Sequence, residues 1–313
     1  MTTRNDILDF YAQPASLTSA GRHARLLAPL PTEPRDLLPI VQGLVVYDVV
    51  ASDFYGVTVP KAREAEIHLR SAEEMLRRLV ALDDRPLAEV RTADKRLAGR
   101  CHHFVRLLLA MLRAKGMPAR ARCGFGSYFN PPCFEDHWVV EYWNAREARW
   151  ALADPQFDDV WREKLKIGHD VLDVPRDRFL VAAEAWTQCR TGRADAARFG
   201  IEFEKLRGLW FIAGSLVRDV AALNAMEMLP WDVWGAQPRP DEHLGPQRLA
   251  YFDRLAALTL DPDASFAELR ALFTDDEGVA VPETVFNALR RRPESVPIAT
   301  PSEHQLGRDL HLS

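Results

Sequence analysis

Three short stretches decide how this chain reads: Gly99-Arg-Cys101-His-His-Phe104, Asp136-His137-Trp-Val-Val-Glu-Tyr-Trp143 and Trp150-Ala-Leu-Ala-Asp154-Pro155. The first opens an apolar run over residues 101–115. There Phe104, Val105, Leu107, Leu108, Met111 and Leu112 recur every three or four positions, which predicts a helix with a broad buried face. Gly116 follows where a left-handed cap is wanted, and Pro118 bars continuation. A period of two then takes over. Ala119, Ala121, Cys123 and Phe125 alternate with Arg120, Arg122 and Gly124, and residues 137–143 and 150–154 read as two further strands rich in Val, Tyr and Trp.

Each stretch carries one chemically capable residue at the edge of an element. Cys101 falls at the helix start, where unpaired amides and the helix field favour a thiolate. If residues 144–149 form a symmetric hairpin loop, Trp143 pairs with Trp150. Asp154 then faces Val139, and His137 faces Gln156. His137 and Asp154 become diagonal neighbours on one sheet face, about 7–8 Å apart and within side-chain reach. A slip of one residue would separate them. Sulfur, imidazole and carboxylate in that order suit acyl transfer: a nucleophile, a base and acid, and a group that orients the ring.

Outward from this centre the chain turns helical. Residues 1–98 read as an N-terminal helical flank, with a Pro-punctuated loop over 27–39, an undecided helix or strand at 41–50, and a one-sided helix over 60–82 with Arg77 and Arg78 on its wet side. After the core, set at 99–160, helices are expected over 178–190, 201–229, 247–260, 265–273 and 282–292. Residues 294–313 read as a loose polar tail. The fold class is α+β: a central helix bearing the nucleophile, packed on a small antiparallel sheet between extensive helical flanks.

Composition fits a soluble globular protein. The 313 residues carry 40 Lys plus Arg against 45 Asp plus Glu, a net charge of −5, which argues against a generic nucleic-acid binder. No apolar stretch approaches the roughly 20 residues of a membrane span, and no signal-peptide core opens the chain. Four cysteines are too few for a disulfide scaffold, so a reducing cytoplasm is expected.

The sequence resembles the transglutaminase-like superfamily, whose core is related to that of papain-like proteases. The likeness rests on a Cys opening a helix, Met111-Leu-Arg-Ala-Lys-Gly116-Met-Pro-Ala-Arg120 at the helix exit, Gly124-Phe-Gly126, Asp136-His-Trp-Val139 and Arg149-Trp-Ala-Leu-Ala-Asp-Pro155. It implies Cys101 as nucleophile, His137 as base and acid, and Asp154 as the orienting residue. Hydrolysis of an amide, peptide or thioester through a covalent thioester is expected. Amide formation with an amine acceptor, or a non-catalytic binding or scaffolding domain, are the alternatives.

Further pocket candidates surround the three. The Cys101 amide suits a first oxyanion donor, and Gln42, Tyr47, Arg100 or a backbone group suit the second. His102 is a candidate for the pocket mouth. Arg120 and Arg122 suit an anionic substrate group, or ion pairs with acids such as Glu135 and Asp136. Glu141 shares the His137 face and suits either the cleft or those arginines. One of Trp138, Trp143 and Trp150 is a candidate pocket wall, and the Trp231–Gly235 segment suits a packed corner better than an exposed platform. No closely spaced ligand pair supports zinc at Cys123 and Cys133, and no nucleotide loop is present, so neither metal nor cofactor is implied. The expected partners are a small-molecule or peptide acyl donor and an amine acceptor. No nucleic acid or membrane is expected, and a homodimer face is open.

Overall fold

The computed structural model describes residues 2–297. Helix α1 (Arg4–Ala12) starts at Thr3, whose hydroxyl accepts from Asp6 N while the Asp6 carboxylate takes the Thr3 amide. The expected loop over 27–39 ends early, because α2 (Pro34–Leu44) begins within it. Pro34 occupies the first turn, where no amide donor is needed. Pro39 lies inside the helix, which continues past it with Leu37, Leu38, Val41 and Leu44 buried. The undecided stretch 41–50 proves to be both helix and strand. α2 ends at Leu44, and β1 (Val45–Tyr47) follows at once.

After α3 (Ala51–Tyr55) the helix expected over 60–82 is broken in two. Residues Lys61–His68 form 3-10 turns, and α4 (Ala72–Leu82) starts afresh at Ser71, which caps it in a reciprocal pair with Glu74. The cap, a Ser three residues before a Glu, was the sequence signal for that break. Arg77 is exposed as expected, whereas Arg78 turns inward to the buried Glu66 at 2.7 Å. Strand β2 (Leu97–Gly99) pairs in parallel with β1 and delivers the chain to α5 (Cys101–Ala114). Every residue of α5 from Cys101 to Arg113 is buried, so this is a central helix rather than a one-faced one. Its end carries Gly116 at φ +71°.

Strands β3 (Ala119–Gly126), β4 (Phe134–Asn144) and β5 (Arg149–Ala153) form antiparallel neighbours beneath α5. The register is the expected one, with Trp143 opposite Trp150 and Val140 opposite Ala153. The sheet is larger than the sequence suggested and mixed in direction. After α6 (Asp159–Leu165), β6 (Phe179–Val181) adds to β3, and α7 (Ala182–Arg190) follows. β7 (Phe199–Ile201) then lies parallel to the start of β4, with β8 (Leu206–Arg207) beside it. Helices expected from 178 and 201 therefore begin later than expected, α7 at Ala182 and α8 (Leu209–Leu223) only past Gly208.

α8 packs on β3, α7 and α9, and joins the same apolar core as α5. The remaining chain comprises β9 (Asp232–Val233), α9 (Pro246–Leu260), α10 (Phe266–Asp275), β10 (Thr284–Asn287) and β11 (Arg292–Ser295). The helix expected over 282–292 is instead a hairpin paired to β9. Thr284 to Asn287 alternate exposed and buried, a period of two that pairing with β9 reinforces. Of the expected tail, Glu294 and Ser295 belong to β11, while residues 298–313 lie outside the described residues. Among the described residues no helix is long and apolar enough to cross a membrane.

Candidate active site

The start of α5 is set by its own third residue. Arg100, in extended backbone at the N-cap, donates its amide to His103 Nδ1 at 3.0 Å, so this imidazole acts as the helix cap. Cys101 follows with 6% of its surface open. His137 sits in β4 opposite Gly124, and Asp154 stands one residue beyond β5, placed by the register next to Val139. The diagonal closes: His137 Nε2 and Asp154 Oδ2 are 2.7 Å apart, both side chains fully buried. The Cys101 sulfur is a hydrogen-bonding and charge neighbour of the same ring.

Asp154 receives two more donors. Tyr128 Oη–H reaches Oδ2 at 2.9 Å, and the Gln156 amide reaches Oδ1 at 3.2 Å. Burial alone would push the His137 ring towards neutrality, but the negative charges of Asp154 and Cys101 outweigh it and raise the pKa to about 10. The ring is therefore an imidazolium at neutral pH. Burial and the Asp154 charge push the Tyr128 phenol well up, and burial and the Cys101 charge do the same for Tyr47, so both stay protonated. Aromatic rings exclude water around the imidazole: Phe129 at 4.8 Å, Phe157 stacked at 5.8 Å and Phe179 at 6.2 Å. Such a group can hold a proton between sulfur and nitrogen with the carboxylate fixed behind it.

The other candidates divide. Tyr47, half-buried at the end of β1 and paired with Gly99, lies close enough to feel the Cys101 charge. Gln42 donates its side-chain amide to Phe157 O at 3.0 Å, tying α2 to the segment after Asp154. Arg100 bonds Asp48 at 3.1 Å and lies over the Trp231 ring. His102 is not at a pocket mouth: it is 2% exposed, between His103 and Trp231, with no partner for either nitrogen. Burial holds both His102 and His103 neutral. Trp231 and Trp234 are buried in a packed corner.

Arg120, Arg122 and Glu141 are committed to one another. Arg120 reaches Glu141 at 2.6 Å and Asp263 at 2.5 Å, while Arg122 reaches Asp219 at 2.9 Å and Glu141 at 3.4 Å. Their partners are thus Glu141, Asp219 and Asp263 rather than Glu135 and Asp136, because the register sets Arg120 directly opposite Glu141. Trp143 stacks edge-on with Trp150 and carries Arg4 over its ring, six residues along β4 from His137 and about 20 Å away. The other cysteines are unlike Cys101 in setting. Burial raises the thiol of Cys123, raises that of Cys189 to about 11, and with Glu202 raises that of Cys133. Among the described residues no group of three or more His, Cys, Asp or Glu is arranged to hold a metal ion.

Residues 56–155 match the family model of the transglutaminase-like superfamily. This segment is similar to a transglutaminase-like core. Cys101, His137 and Asp154 all fall inside the matched segment, and so does Tyr128. A solved structure described as that of a "Putative Cysteine Protease from Cytophaga hutchinsonii" is 18% identical, covers 49% of this chain and aligns at a TM-score of 0.29. The alignment takes in 43% of that protein, and a score this low bears on neither fold nor chemistry here. Among curated proteins, none matches this chain. Within the matched segment, sequence reasoning missed Tyr128. The residue sits in the irregular segment after β3, where no periodicity points, and only its position two residues past Gly126 marks it.

Proposed function

We propose that this protein is a cysteine-dependent acyl-transfer enzyme that hydrolyses an amide, peptide or thioester. The observation that carries the reading is a buried His137 ring hydrogen-bonded to Asp154 at 2.7 Å with the sulfur of Cys101 as its other charged neighbour. The sulfur attacks the acyl carbonyl carbon, and the His137 proton passes to the leaving group as the carbonyl–leaving-group bond breaks. Water then attacks the thioester and gives a proton to His137, and the carbon–sulfur bond breaks to release the acid and leave the sulfur beside the protonated ring, as at the start. Asp154 orients the ring and supports its charged form in both halves.

The test is alkylation with iodoacetamide near neutral pH followed by peptide mapping. One fast site at Cys101, absent in Cys101→Ala, is expected. Equal slow labelling of all four cysteines would remove the proposal. Partition of a trapped acyl-enzyme between water and added amines then separates hydrolysis from amide formation, since saturable acceleration by amine would mark an acceptor site.

A further inference from the structure

Asp154 is held from above by a residue that the three-residue account leaves out. Tyr128 Oη lies 2.9 Å from Asp154 Oδ2, the same oxygen that His137 Nε2 meets at 2.7 Å. The phenol ring stands edge-on to His137 at 6.1 Å and to Phe157 at 5.2 Å, so packing fixes the hydroxyl as well as its hydrogen bond. Chain geometry makes room for this. A Cβ on Gly126 would lie 2.9 Å from the Tyr128 ring and 2.8 Å from that of Phe129, closer than real side chains approach. The Gly124-Phe-Gly126 motif, which forms no phosphate loop, therefore has a use at its second glycine: it lets the chain fold Tyr128 back over the carboxylate.

We propose that Tyr128 is a positioning residue for the acyl-transfer site, holding Asp154 in line with His137 and tempering the carboxylate's pull on the ring. The inference rests on the acyl-transfer reading of Cys101, His137 and Asp154. Two effects follow from one oxygen accepting two donors. The hydroxyl fixes the carboxylate so that the ring keeps its aim, and its O–H dipole partly offsets the charge that His137 senses. Without the hydroxyl, His137 would hold its proton more tightly and serve less well as a base towards water.

The experiment uses the full chain with Cys101 blocked by iodoacetamide, which resembles the acyl-enzyme in lacking a free thiol. Ring-labelled histidine is followed by NMR as pH rises. In Tyr128→Phe the loss of the His137 proton should move to higher pH than in the unsubstituted protein. Replacing Tyr128 by 3-fluorotyrosine, a stronger donor of nearly the same shape, should move it to lower pH. A hydrolysis rate for any thioester probe that is accepted should fall about 10-fold in Tyr128→Phe, the scale of one hydrogen bond to a charged group. A His137 titration unmoved by either substitution would overturn the proposal, as would movement in one direction for both. If Tyr128→Phe does not fold, the fluorinated protein decides alone. Failure of Cys101 to label selectively in the unsubstituted protein would instead sink the acyl-transfer reading, so the two failures are distinguishable.

Discussion

Asp154→Asn is the substitution that tests the site hardest, because it keeps the shape and removes the charge. Asp154 takes three donors: His137 Nε2 and Tyr128 Oη on Oδ2, and the Gln156 amide on Oδ1. An amide can satisfy only part of this. With its oxygen at the Oδ2 place it serves His137 and Tyr128 but sets an NH2 against the Gln156 N–H; reversed, it opposes two donors. The first orientation is cheaper, at about 1–3 kcal/mol for one unsatisfied buried donor. The larger effect is electrostatic. The His137 pKa, raised from 6.5 to about 10, corresponds to about 5 kcal/mol in favour of the charged ring. Burial opposes that charge, and Asp154 is the first of the groups that overcome it.

In the variant, burial then prevails, and the ring should lose its proton at or below neutral pH. A neutral ring no longer offers the sulfur a positive neighbour. Alkylation of Cys101 at pH 6–7 should therefore slow by at least about 10-fold, equivalent to the first 1.4 kcal/mol of the lost preference. Above about pH 10 His137 is neutral in both proteins, and the two rates should converge. Linkage gives a second readout. A raised histidine pKa contributes stability that is complete below pH 6.5 and fades as pH climbs through about 10, so the unsubstituted protein should lose denaturant resistance over that window and the variant should not. Labelling rates that track each other across the whole pH range would refute the reasoning, since Asp154 would then be a turn residue only.

The remaining expectations concern the frame around the site. Glu141→Gln should cost about 3–5 kcal/mol in denaturant unfolding, because it leaves buried Arg120 and Arg122 short of one carboxylate. Cys101 labelling should survive, as Glu141 lies four residues, about 13 Å, along β4 from His137. The arginines hold the Glu141 carboxyl well below its ordinary range against burial. It thus contributes stability above about pH 4.5 that drains away with acid, and the variant should show a shallower acid limb. Gly124→Ala should detach β6 from β3, since the new Cβ would sit 2.2 Å from Leu180 O, a backbone atom that cannot step aside. Loss of amide protection at residues 179–181 in hydrogen exchange would show it, and full protection would exclude it.

How much of this was legible in the chain depends on what kind of signal each part left. α5 was readable because its three-and-four repeat ends on Gly116 and Pro118, and the strands because their period changes to two. The strongest inference came from arithmetic on register: a six-residue connection between two Trp residues fixes which positions stand diagonally, and Val140 does lie opposite Ala153. Where long-range pairing decides, local pattern misled. Thr284 to Asn287 become a strand because β9 is there to receive them, and residues 199–207 form a strand pair because Phe134 and Glu135 offer an edge. Single side chains in irregular segments leave no pattern at all, which is why Tyr128 escaped notice.

The buried arginines carry the same lesson about energetics. They alternate with Ala119, Ala121 and Cys123, and Arg120 and Arg122 are each only 2% exposed. Charge inside a core is tolerable only when every cation meets an acid, and here the acids come from β4, α8 and the turn before α10: Glu141, Asp219 and Asp263. Only the first of these is legible from the β3–β4 register. The other two join the C-terminal helices to the sheet that carries His137, with Asp219 also accepting the Cys123 amide at 2.9 Å. The sheet is thus clamped at one end by ion pairs and closed at the other by aromatic rings around His137. A proton-sharing pair needs a rigid frame of this kind, since a shift of one residue in β4 or β5 would put imidazole and carboxylate on opposite faces.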